Sequence, residues 1–203
     1  FGAGIRLILL LGLLSPAHGI LQGATLPEWE TIAQGRLMRV EVPREGKAGF
    51  SQLPPDRTGI RFANTMDDRR VMANNNFMQG SGVALGDFDA DGWCDIYFCA
   101  IDGTNRLYRN LGDWKFEDIT KSAGVECAGL DVTGAALADV DGDGDLDLVV
   151  NTIGAGTRVF KNVGLGKFVE MSPPLNTGRG GMSLALGDLD GDGKLDLYIC
   201  LLY

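Results

Sequence analysis

Asp139-Val-Asp141-Gly-Asp143-Gly144-Asp145-Leu-Asp147, running straight into Leu148-Val-Val150, is the stretch on which the fold turns. The same nine-residue acidic loop stands at Asp87-Phe-Asp89-Ala-Asp91-Gly92-Trp93-Cys-Asp95 and at Asp188-Leu-Asp190-Gly-Asp192-Gly193-Lys194-Leu-Asp196. Asp87, Asp139 and Asp188 lie 52 and then 49 residues apart, the mark of a repeat protein. Aspartates at positions 1, 3, 5 and 9 of such a loop can converge on one hard cation. Glycine at position 6 permits the sharp turn that brings position 9 round. Position 7, held by Trp93, Asp145 and Lys194, is expected to offer its backbone carbonyl.

Asp and Gly are also the residues of ordinary solvated turns. An acidic turn, however, sets four like charges within a few ångströms, which is costly without a counter-ion. Three copies at near-constant spacing therefore point to about three cation sites. The flexible all-oxygen shell favours Ca²⁺ over Mg²⁺, which demands a smaller octahedral cage. Asp145 adds a fifth carboxylate to the second loop, and Lys194 weakens the third slightly. An EF-hand is excluded, because position 12 is Phe98, Val150 and Ile199 where that loop needs glutamate. The run after each loop, such as Ile96-Tyr-Phe-Cys99 and Leu197-Tyr-Ile-Cys200, reads as a buried strand rather than a helix.

The repeat extends beyond the loop. Small-residue apolar strands precede it: Gly82-Val-Ala-Leu-Gly86, Gly134-Ala-Ala-Leu-Ala138 and Ser183-Leu-Ala-Leu-Gly187. After the second strand, Arg106-Leu-Tyr-Arg-Asn110 matches Arg158-Val-Phe-Lys-Asn162, and Lys115-Phe-Glu-Asp-Ile119 matches Lys167-Phe-Val-Glu-Met171. Four short strands per repeat make an all-β chain of propeller blades, each of four antiparallel strands. The expected divisions are blades over 81–132 and 133–181, a truncated blade over 182–203, and a connecting surface loop over 61–80. Arg36-Leu-Met-Arg39 and Gly49-Phe-Ser-Gln-Leu53 resemble the third and fourth strands, so 36–60 is read as a half blade after a lead-in over 20–35.

Gly82-Val-Ala-Leu-Gly-Asp-Phe-Asp-Ala-Asp-Gly92, Leu107-Tyr-Arg-Asn-Leu-Gly112 and Phe116-Glu-Asp-Ile-Thr120 resemble the FG-GAP/VCBS repeat family. Within it, they are similar to the branch of the cartilage acidic proteins, often associated with a C-terminal ASPIC/UnbV domain. The resemblance covers residues 36–203 and implies calcium-loop blades in a ring of usually seven. No ASPIC/UnbV-like segment is present. The chain starts at Phe1 and ends at Leu201-Leu-Tyr203 inside a strand, so it reads as a piece of a longer protein.

Residues 5–14 hold a short apolar core that follows Arg6, and Ala17-His-Gly19 offers small residues for cleavage. Residues 1–19 are thus expected to be a secretory signal peptide, which places the mature chain outside the cytoplasm. The run is too short to span a membrane. The net charge is −9, and 13 of the 27 acidic residues belong to the three loops, so the acidity reports cation sites before it reports a partner. No basic stripe exists for nucleic acid. The only histidine, His18, falls in the leader, which removes His-based catalysis and His-ligated zinc from the mature segment.

Gly178-Arg-Gly-Gly181 lacks the spacing of a phosphate loop and reads as a turn. The cysteines are Cys94, Cys99, Cys127 and Cys200, of which Cys94 with Cys127 is the one pairing outside the repeat pattern. The functional expectation is a secreted calcium-binding module for a protein or polysaccharide ligand. The alternatives are a calcium-propeller polysaccharide lyase or hydrolase, or a scaffold within a larger enzyme; no catalytic set is visible to support them.

Overall fold

The structure, a computed structural model, describes residues 29–32, 35–38 and 50–202. The expected signal peptide lies outside them. Residues up to Phe50 and those from Ser51 onward form two separate units. In the first, β1 (Trp29–Ile32) pairs with β2 (Gly35–Met38) as an antiparallel hairpin, Ile32 opposite Gly35.

The strand containing Arg36 takes its partner from the expected lead-in, and residues 50–53 carry no strand. Local pairing across a two-residue connection is the cheaper closure. Pro54 and Pro55, which lack amide donors, then lead into the short helix α1 (Pro55–Thr58).

The second unit is built from antiparallel sheets in the expected order. β3 (Val83–Gly86), β4 (Asp95–Phe98), β5 (Arg106–Asn110) and β6 (Phe116–Asp118) form one four-stranded blade, each strand paired with the next. β7 (Val132–Ala138), β8 (Asp147–Thr152), β9 (Thr157–Asn162) and β10 (Phe168–Leu175) form the second. β11 (Gly180–Gly187) and β12 (Asp196–Leu202) pair as the first two strands of a third. Pro173 and Pro174 fall where the register between β10 and β9 shifts, tolerable because β10 is an edge strand.

The first strands of successive blades touch. The Gly82 amide donates to the Thr133 carbonyl at 2.9 Å, and Thr133 Oγ1 donates to the Gly181 carbonyl at 2.6 Å. A Cβ at Gly82 would stand 2.9 Å from the Gly134 Cα, and one at Gly181 only 2.0 Å from Asn151 Oδ1. These contacts leave no room for a larger residue at Gly82 or Gly181. The turn read at 178–181 is shorter than expected, since β11 already begins at Gly180.

The core lies between the first two blades. Tyr97, Cys99 and Leu107 meet Leu148, Val150, Phe160 and Phe168 across it, and Ala123 and Val125 of the linking segment close it. The Tyr97 hydroxyl donates to the Val125 carbonyl at 2.9 Å, so the buried ring keeps its polar end satisfied.

Residues 61–80, expected as a connecting surface loop, carry short helical elements. They contain α2 (Asp68–Ala73), whose first turn is capped by Asp67, and a 3₁₀ turn at Asn75–Gln79 capped by Asn74. Arg70 ties α2 to the first two blades through Asp102 at 2.8 Å and Asp131 at 2.7 Å, and Phe62 stacks on Phe98. A six-residue helix is too short to show a helical period, which is why the sequence reads as polar connection. All four cysteines are free thiols, and Cys127 lies beside the Tyr97 hydroxyl rather than in a bond with Cys94.

Candidate metal centre

Each acidic loop joins the first strand of a sheet to its second: β3 to β4, β7 to β8, β11 to β12. Position 6 takes a left-handed backbone in every copy, with φ of 90° at Gly92, 95° at Gly144 and 87° at Gly193. The turn thus needs the residue that enters this region without a Cβ penalty. Position 4 is left-handed too, including Ala90, the one copy without glycine there.

The loops bring positions 1, 3 and 9 together. Oxygen atoms of Asp87, Asp89 and Asp95 lie within 4.8 Å of one another, as do those of Asp139, Asp141 and Asp147 and those of Asp188, Asp190 and Asp196. Position 5 is outside these triads. Asp91, Asp143 and Asp192 instead accept the amides of Trp93, Asp145 and Lys194 at 2.8–3.0 Å, which shapes the turn. In this arrangement the amides of Trp93, Asp145 and Lys194 are committed within their loops.

Position 1 is held by backbone donors: Asp139 accepts from Gly142 at 2.7 Å and Gly144 at 3.0 Å, and Asp188 accepts likewise from Gly191 and Gly193. In the first two loops position 9 is a buried keystone. Asp95 and Asp147 are both fully buried. Asp147 Oδ1 accepts the Asn162 amide at 2.8 Å and Oδ2 the Val140 amide at 3.1 Å. Asp95 does the same with Asn110 and Phe88. One carboxylate therefore fastens the loop to the third strand of its blade.

Burial pushes the Asp95 carboxyl up from 3.8 to about 6, against two amides that hold it down, and burial raises Asp147 as well. Asp143 is lowered, by the Asp145 amide first and by Lys161 next.

The donor set fits a hard cation: every side chain in the triads is a carboxylate, and Asp89 Oδ1 is buried with no hydrogen-bond partner. An orphaned buried acceptor is what a bound cation would satisfy. Two further groups belong to the site. Arg109 Nε lies 2.7 Å from Asp89 Oδ2, and Lys161 contacts Asp141 and stands 3.2 Å from Asp143. Asn162 Nδ2 donates to the Leu146 carbonyl in its own loop and, at 2.8 Å, to the Phe88 carbonyl in the first. In the sequence the only signal for both roles is the matched pair Arg109-Asn110 and Lys161-Asn162, which by itself reads as a strand end.

A pH dependence is expected for the metal-free protein. Because Asp95 binds its proton more tightly folded than unfolded, its stabilising contribution is complete below about 3.8 and is lost as pH rises through about 6. Asp143, shifted the other way, contributes in full above about 3.8 and loses its contribution as pH falls below that value. Melting temperature measured against pH in stripped protein should fall between pH 4 and 6 more steeply than in the Asp95→Asn variant. Parallel profiles would show that Asp95 is not the group responsible.

The FG-GAP-like repeat family matches this chain over residues 87–150 and again over 139–199. Among curated proteins it is similar to cartilage acidic protein 1 of Xenopus tropicalis, at 35% identity over 86 residues. The human protein of that name is 33% identical over 86 residues. Each alignment covers 42% of this chain and 13% of the relative. No helix among the described residues is long and apolar enough to cross a membrane.

Proposed function

The chain belongs to the FG-GAP-like repeat family, and from that premise we propose that it is a secreted calcium-binding module whose blades present a surface for a protein or polysaccharide ligand. The observation that carries the calcium reading is the triad of carboxylates repeated in all three loops, together with the orphaned Asp89 oxygen. Asp87, Asp89 and Asp95 would hold the first ion, Asp139, Asp141 and Asp147 the second, and Asp188, Asp190 and Asp196 the third. The ion supplies positive charge where the fold gathers negative charge, and its role is structural. It relieves repulsion within the loop and clamps the turn between two strands.

The surrounding residues do the rest. Backbone amides orient position 1, position 5 shapes the turn, and position 9 ties the loop to the sheet. The apolar leader in the sequence supports secretion, and a site that holds carboxylates without a catalytic partner set supports the binding role.

Calcium titrated calorimetrically into metal-stripped protein tests the reading. Saturation near three equivalents with a raised melting temperature is expected, because a ligand that binds only the folded state stabilises it. Asp141→Ala should remove one equivalent and lower the calcium-loaded melting temperature. No heat from a folded chain would reduce the loops to acidic turns. Equal melting of Asp141→Ala and parent in saturating calcium would remove the structural role.

A further inference from the structure

We infer that Arg109 and Lys161 are tethered counter-ions that brace the cation-free loops and set their affinity for calcium, an inference that rests on the reading of those loops as calcium sites. The two residues occupy the same place in their repeats, next to the end of the third strand, just before Asn110 and Asn162. Each turns toward the loop of its own blade. Arg109 reaches Asp89 at 2.7 Å and Asp91 at 3.7 Å, and Lys161 reaches Asp141 and Asp143.

The direction of these side chains is specific. Glu117 stands opposite Arg109 on the fourth strand, yet the guanidinium pairs with the loop. The other basic residues of these strands behave differently: Arg106 pairs with Asp118 and Arg158 with Glu170, ordinary cross-strand partners. In both blades it is the basic residue beside the asparagine that is spent on the loop.

The contacts also divide the loop. Positions 1 and 9 are satisfied by backbone amides, which do not leave. Positions 3 and 5 take the tethered cation. Position 3 belongs at once to this ion pair and to the triad, so calcium and the basic side chain compete at Asp89 and Asp141.

A divalent ion on the triad would repel an ammonium held against the same carboxylate. Lys161 is 38% exposed on a flexible stem and can withdraw to water. Calcium affinity is then reduced by the ion pair it must break, and in return the cation-free loop stays folded.

The test uses the full chain as parent, Lys161→Gln, Lys161→Arg and, as a charge control on α2, Arg69→Gln. Each is stripped of metal, titrated with calcium by calorimetry, and melted in chelator. Lys161→Gln should bind calcium about two- to five-fold more tightly at one of the three sites, the range expected for losing a partly exposed ion pair. Its metal-free melting temperature should fall, while Lys161→Arg and Arg69→Gln stay near the parent. Unchanged or weaker calcium binding in Lys161→Gln overturns the inference. If the parent itself takes up no calcium, the reading of the loops has failed instead. The melt in chelator then decides whether Lys161 braces the loop, and an unchanged value for Lys161→Gln rejects that too.

Discussion

Asp147→Ala is expected to lower the metal-free melting temperature by roughly 6–12 °C, taking a loss of about 3 kcal/mol spread over a chain of this size. The carboxylate is fully buried and is the acceptor for two amides, those of Val140 and Asn162. Alanine leaves both donors without a partner, and an unsatisfied buried donor costs about 1–3 kcal/mol. The raised pKa of Asp147 offsets part of this, because the native charge is itself unfavourable where it sits.

Asp147→Asn separates the two effects. It keeps one acceptor but turns an NH₂ group toward a backbone amide, and should fall between parent and alanine. Differential scanning calorimetry in chelator makes the measurement. A loss under about 1 kcal/mol for alanine would mean that water replaces the carboxylate, contrary to its burial.

Gly82→Val should be nearly as damaging for a different reason. The backbone just before β3 approaches β7 so closely that a Cβ at Gly82 would lie 2.9 Å from the Gly134 Cα and 3.3 Å from the Thr133 carbonyl oxygen. Both obstacles are main chain, which cannot rotate away. The blades would have to part, stretching the 2.9 Å bond from the Gly82 amide to Thr133. Overpacking of this kind costs about 1–3 kcal/mol, and valine belongs at the upper end.

Gly82→Ala should cost less, and Gly187→Ala almost nothing, since a Cβ at Gly187 meets nothing within 4 Å. Chemical denaturation of the three variants gives the order. Equal losses at Gly82 and Gly187 would show that replacing any glycine here has the same effect, and that the contact between blades is not the cause.

The blades are legible in the sequence because their signals are local and repeated. A nine-residue loop between two apolar runs names its own strands, and three copies remove the ambiguity of one. The triads are legible only in part. Spacing shows which aspartates share a loop, but position 5 turns to the backbone and leaves the cluster, a matter of dihedral angles that spacing does not encode.

The third-strand partners are harder still, since Lys161 lies 20 residues from Asp141 and meets it only after two strands have paired. The short helical elements of residues 61–80 are hard to read for a related reason. Their order comes from Asp67, Asn74 and Arg70 and the groups they bind, not from any apolar period.

The bond from Asn162 to the Phe88 carbonyl joins groups 74 residues apart. A ribosome adding about 5–20 residues each second takes several seconds to travel that far. For that interval the first loop has been made, its four aspartates are in place, and the amide that fastens its second residue does not yet exist. The first loop is thus finished by the second blade, and until that blade is made it is more open to ions, proteases and stray partners than it is in the folded chain.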